Sequence, residues 1–279
     1  MFVHDRKGLS LLLLFLVFYC AGCSGNSSSD SEARSAKMSL TERQSGYKLN
    51  VESWRNFLSC WHSSESSFKK KGQSSDEFYS SVIPKWPPLV NGDTREQRRA
   101  IEKLERSLGV PLPKSYKDFL LAYHPEDLSP FDVNHGDVGI GFFSIPQVDR
   151  FSELFPNLLA LYEQVPIESS DTEYFTYGTE QNDVSMRTSY LRNAIVIGKH
   201  GTSNYELILL HPQVRTADGE AEAVLRYHSG QFRAPSFAEL MRQLSVLHTM
   251  PVDQLPPYAQ ASVFNTCARS FPLENVWWE

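Results

Sequence analysis

Six residues between positions 124 and 137 carry the ligand atoms that a divalent cation uses. His124, Glu126, Asp127, Asp132, His135 and Asp137 supply imidazole nitrogens and carboxylate oxygens. Their spacing matches neither His-Glu-x-x-His nor Cys-x-x-Cys, and exposed loops carry such side chains in any case. No metal or other cofactor is therefore expected. His200, His211 and His228 each stand beside a turn, where a loop histidine, exposed or hydrogen-bonded, is expected rather than a proton shuttle. There is no Gly-x-Ser-x-Gly elbow and no Gly-rich phosphate loop with Lys-Ser/Thr. Gly139-x-Gly141 lacks the third glycine of a dinucleotide site and reads as a bulge or a close backbone approach. With no convergent catalytic set, the expectation is a non-catalytic binding protein.

Charge is the stronger lead. Glu126, Asp127, Asp132, Asp137, Asp171 and Glu173 concentrate in loops between the first and later strands, with Glu168, Glu180 and Asp183 beside them. Such a face steers association with a basic protein, and it equally serves plain solubility. Tyr174, next to Phe175 and near Tyr177, would add an aromatic hot spot among the acids, or it belongs to the core. The chain carries a net charge of -6, so nucleic acid is not an expected partner. The one cationic run, Lys69-Lys70-Lys71, reads as a solvated loop.

The N-terminus reads as an export signal. Arg6 and Lys7 precede a run from Leu9 to Tyr19 that is apolar except for Ser10. That run is too short to span a bilayer, which needs about 20 residues. Cys20-Ala21-Gly22-Cys23 resembles a bacterial lipobox, although Cys20 stands where leucine is usual. Lipidation at Cys23 would anchor the chain to a membrane, and a plain signal peptide is the alternative. The following Ser24 fits retention at the outer membrane. Cleavage removes Asp5, Arg6 and Lys7 and leaves 25 basic and 32 acidic residues, net -7. Cys60 and Cys267 remain, either bridged or as two buried thiols.

These features divide the chain into a signal (1–22), a Ser-rich tether (23–46), a helical extension (47–93), a central domain (94–248) and a C-terminal extension (249–279). In the extension, Leu49, Trp54, Phe57, Leu58 and Trp61 recur at helical spacing, for a helix ending near His62. Thr94 and Gln97 match a capping box for a helix ending at Gly109. Pro111 and Pro113 then stop one helix and permit the next, whose inner face is Tyr116, Phe119, Leu120 and Tyr123. Strands are expected over 137–145, 174–177, 194–198, 205–210 and 222–227, with a helix over 148–162 and a turn at 228–231. Ser236 caps a last helix lined by Phe237, Leu240, Met241, Leu244 and Leu247. Helices first, strands in the middle and a helix last predict an α+β fold, with an antiparallel or mixed sheet flanked by helices.

The order of these parts resembles the SUKH superfamily, the Smi/Knr-like domain. The resemblance rests on Leu108-Gly109, Leu112-Pro113, Tyr116, Phe119-Leu120, Ile195-Val196-Ile197-Gly198, Gly201, Tyr205-Glu206-Leu207 and Ser236-Phe237-Ala238-Glu239-Leu240. It covers roughly residues 95–248. The family's frequent Asn-Gly-Gly turn is replaced by Ala122 to Asp127, and the acidic residue after its Gly-turn by Ser203-Asn204. The resemblance implies a non-enzymatic protein-binding domain, of the kind that neutralises toxins in bacteria and serves as a cell-wall and signalling regulator in fungi. Joined to the anchor, it gives the expectation of an immunity-type lipoprotein facing a toxin that acts in the cell envelope. An envelope structural or regulatory lipoprotein is the alternative, and an envelope hydrolase is a third class.

Overall fold

The computed structural model describes residues 43–69, 94–125, 140–200, 206–228, 230–249, 266–269 and 271. Helical periodicity at the N-terminal side gives α1 (Val51–Lys69), α2 (Arg95–Leu108) and α3 (Lys114–Ala122). Helix α1 continues past its expected end near His62 as far as Lys69. Ile101, Leu104 and Leu108 turn α2 inward, and Gly109 ends it at φ 65°, a left-handed position that favours glycine. Pro113 caps α3 from an extended conformation, where its missing N–H costs nothing. The Thr94 capping box does not form. Thr94, at φ -89° and ψ 11°, makes no side-chain cap bond, and the Gln97 side chain instead places Nε2 2.9 Å from His124 Nδ1.

The middle of the chain departs most from expectation. Residues 137–139 lie outside the described residues, among which β1 runs over Ile140–Phe142 and ends before the expected Ile145. The helix expected over 148–162 is instead β2 (Asp149–Arg150), α4 (Phe151–Leu154) and α5 (Pro156–Gln164). Pro156 lacks the N–H that a continuous helix would need there. The strand expected at 174–177 is replaced by α6 (Asp171–Tyr174), with a turn at Phe175. After α7 (Thr188–Leu191) come β3 (Ile195–His200), β4 (Leu207–Arg215) and β5 (Ala221–Tyr227). The expected turn at 228–231 is already strand from Gly230, giving β6 (Gly230–Ala234). Ser236 accepts a hydrogen bond from the Glu239 N–H at 3.1 Å and opens α8 (Phe237–Thr249), and α9 (Thr266–Arg269) follows.

The strands form one antiparallel sheet in the order β1-β3-β4-β5-β6, with β2 also on β3. The fold is therefore α+β. Gly198 is required where β3 passes β1, because a Cβ there would lie 2.4 Å from the Gly141 carbonyl oxygen. Side chains alternate across each strand. Leu210, Ala223, Leu225, Phe232 and Ala234 share one face, and His211, Glu222, Arg226, Gln231 and Arg233 share the other. Helix α8 packs on the sheet from the first side and contacts α1 and α3 in turn.

The described part of the helical extension is core. Trp54 meets Phe119 at 5.4 Å, Phe237 at 5.6 Å and Phe271 at 4.6 Å between ring centroids, so one indole joins α1, α3, α8 and the C-terminal segment. Cys60 and Cys267 are joined in a disulfide across 207 positions of sequence, beside that aromatic cluster. A crosslink enclosing so long a loop constrains the unfolded chain strongly. Replacing both cysteines by alanine is expected to lower stability by about 2–4 kcal/mol. That corresponds to a melting temperature roughly 5–15 °C lower. Thermal melts of the variant, and of the wild type with reductant, check this. Identical melting points would show the crosslink to be dispensable.

Candidate functional site

A strand that carries Glu222 and Arg226 at alternate positions reads as facing solvent. In the structure both are buried, together with His211, Gln231 and Arg233. Their cover is the segment 161–191, which crosses the outer face of the sheet. It is stitched to itself antiparallel: Ile167 and Thr188 exchange hydrogen bonds, Glu168 bridges Arg187, and the Ser169 N–H donates to the Met186 carbonyl.

Glu222 is the centre of this layer. Its carboxylate accepts from the Tyr174 hydroxyl at 2.7 Å, from the Tyr177 hydroxyl at 2.7 Å and from His211 Nδ1 at 2.7 Å. Because an ionised carboxylate only accepts, Nδ1 is the nitrogen of His211 that carries the proton. Burial works to raise the Glu222 carboxyl, but His211, the Arg233 guanidinium and the Tyr177 hydroxyl outweigh it and hold it below the ordinary glutamate range. Burial next to this carboxylate pushes both tyrosine hydroxyls well above theirs. Arg233 stacks 4.5 Å from the centre of the Tyr174 ring and donates to the Tyr174 carbonyl. Arg226 lies 4.3 Å over the Tyr162 ring.

The edge of the sheet is closed by the same cover. The Gln231 N–H donates to the Asp183 carbonyl at 2.7 Å, and the Gln181 side-chain amide pairs with the Arg233 backbone as a neighbouring strand would. Arg187 pins the cover from outside, with its guanidinium 4.9 Å from the Tyr174 ring centre, 5.1 Å from Phe175 and 5.4 Å from Tyr190, and with an ion pair to Asp171.

Outward, the cover is acidic and apolar. Residues 161–191 contain six acidic residues and one basic residue, Arg187. Leu161, Val165, Ile167 and Val184 are 57%, 74%, 47% and 58% exposed. Most of the acids are held in place. Glu168 accepts from Ser189, Glu173 from Asn182 and Ser185, and Asp183 from the Tyr227 hydroxyl. A surface with aliphatic side chains among fixed carboxylates is suited to docking a cationic protein surface.

Of the residues singled out in the sequence, Asp171 and Glu173 are exposed on this cover. Tyr174, part of the same segment, points inward: it is fully buried, and its hydroxyl donates to Glu222. Glu126, Asp127, Asp132 and Asp137 lie outside the described residues, as do Cys23 and His135. His211 is no loop histidine but an interior strand residue. Among the described residues no three His, Cys, Asp or Glu side chains are placed to hold a metal ion. Sequence reasoning missed Glu222, His211 and Arg233 as interior groups, and missed the exposed aliphatics. Leu161, Val165 and Ile167 clustered around Pro166 were the available signal.

A model of the SMI1 / KNR4 family (SUKH-1) matches residues 97–243. Comparison with curated proteins and with solved structures returned no match.

Substituting Glu222→Gln removes the charge that His211 and Arg233 surround, and is expected to cost about 2–4 kcal/mol at neutral pH. The pH dependence has a definite sign. A carboxyl depressed in the folded chain stabilises above its unfolded pKa of about 4.3, and that contribution is lost as pH falls through the lower folded value. Glu239 is raised by burial despite its Arg242 pair, so its ionisation costs stability, and the cost is relieved on acidification. Chemical denaturation between pH 6 and pH 3 should show Glu222→Gln losing less stability per pH unit below about pH 4 than the wild type. Parallel profiles would place the acid sensitivity elsewhere.

Proposed function

Because the chain belongs to the SMI1/KNR4 (SUKH-1) family, commonly protein-binding domains of immunity type, we propose that it is an envelope-anchored immunity protein that neutralises a cationic toxin by docking it on the outer cover, residues 161–191. The observation that carries this reading is the surface just described. Six acids against one base steer a basic partner, and the four exposed aliphatic side chains supply the desolvated contact that charge alone does not. The cover is tied to the sheet through Glu222 and to the β6 edge through Gln181 and Asp183, so little ordering remains to be done on binding.

The setting is the cell envelope. Residues 1–22 are read as an export signal and Cys23 as the lipidated residue, with outer-membrane retention favoured by Ser24. The Cys60–Cys267 disulfide supports an oxidising compartment, since such bonds are rare in reducing cytosol. An anchored inhibitor meets only a toxin that acts in the envelope. It acts by occupying the toxin, without chemistry of its own.

The test is a sibling-killing assay. A strain lacking the chain should be killed by its parent, and the wild-type gene should restore survival. The double variant Val165→Arg, Glu180→Lys should fail to protect while melting at the wild-type temperature, because Val165 is exposed and Glu180 lies on the surface. Full protection by that variant would remove the cover from the interface. A deletion strain that resists its siblings but shows altered wall integrity would support the structural or regulatory role instead. Separately, Cys23→Ser should move the protein out of the membrane fraction, and retention there would overturn the anchor.

A further inference from the structure

Helix α2 carries a charge pattern that the docking of a basic toxin does not use. Its inward side is Ile101, Leu104 and Leu108. At 100° per residue, positions 95, 99, 103 and 106 lie within about 50° of the direction opposite. All four are cationic and all are exposed: Arg95, Arg99, Lys103 and Arg106. They form a band about 16 Å long. The acids of the helix are displaced from it. Glu96 and Glu102 flank the band, and Glu105 turns inward to accept from the Leu112 N–H at 2.8 Å and Lys117 Nζ at 3.1 Å. Among the described residues, Arg99, Lys103 and Arg106 have no ion-pair partner. On a chain of net charge -6 this stripe is the directional exception.

Its place in the fold has two consequences. Helix α2 packs on α3 and on the short helical turn Ile145–Gln147, in the helical layer, whereas the acidic cover lies on the other face of the sheet. The two charged surfaces therefore point in different directions. The chain also enters the domain beside the end of this helix. The Arg43 carbonyl accepts from the Ala217 N–H at 2.8 Å, Ser45 bonds Asp218, and Arg215 of the same hairpin donates to the Pro111 carbonyl just beyond α2. Cys23 is twenty residues before Arg43, a covalent reach of at most about 70 Å.

We propose that the Arg95–Arg99–Lys103–Arg106 stripe rests on the anionic phospholipid headgroups of the membrane to which the chain is tethered, and so orients the acidic cover away from the bilayer toward its partner. This inference rests on the lipid anchor at Cys23. Anchoring keeps the domain near the surface, and the stripe selects which side faces it. The attraction is between solvent-exposed charges, so it weakens as salt rises.

The test uses the lipidated full chain in vesicles of phosphatidylcholine alone, or with about a third phosphatidylglycerol. Amine labelling of Lys103 is read by mass spectrometry. Labelling is expected to fall about fivefold on the anionic vesicles at low salt and to recover at high salt. In the variant Arg99→Glu, Arg106→Glu it should be the same on both vesicles. A chain that sediments with both vesicles while Lys103 labels equally overturns the orientation and leaves the anchor intact. A chain that sediments with neither overturns the anchor and the orientation together. Protection that needs an added acidic protein rather than the anionic lipid would assign the stripe to a protein and overturn the proposal.

Discussion

The outer half of the molecule depends on one carboxylate without access to water. An isolated charge at Glu222 would be prohibitively costly in the interior. It is retained because two tyrosine hydroxyls, one imidazole and a nearby guanidinium converge on it. Those groups come from places far apart in sequence, Tyr174 and Tyr177 from the cover, His211 from β4 and Arg233 from β6. Satisfying Glu222 therefore fixes where the cover lies. A segment of short helices and turns, weak in regular structure of its own, becomes a defined surface.

The inner half is governed by apolar contact. Trp54, Phe119, Phe237 and Phe271 pack ring to ring, and Cys60–Cys267 closes the chain over them. The family match spans residues 97–243, but two of these four rings lie outside it. The described flanking pieces are accordingly structural parts of the core. They thicken the helical side of the matched domain.

Charge is arranged across these two halves. Carboxylates gather on the cover, and the outward band of α2 is cationic. Within the cover most acids are held by neighbouring N–H and O–H groups, so their positions are set before any partner arrives. Preorganised charge of this kind favours fast and selective association over raw affinity.

Much of this was legible locally. The Leu108-Gly109 stop, the Pro113 start and the Ser236 cap are decided by backbone preferences within a few residues, and each forms as the sequence predicts. The sequence also determined the α+β class, because helical and strand periodicities depend on neighbours alone. Positions such as Glu222, His211 and Tyr174 were another matter. Alternation said which residues share a face of the sheet, but not whether water or another segment covers it. Thr94 shows the same limit at a helix end, where Gln97 preferred a partner 27 residues away to its local cap. Burial of a polar group is a property of everything packed around it. That is why tertiary structure alone decided that a strand reading as solvent-facing is the interior support of the acidic surface.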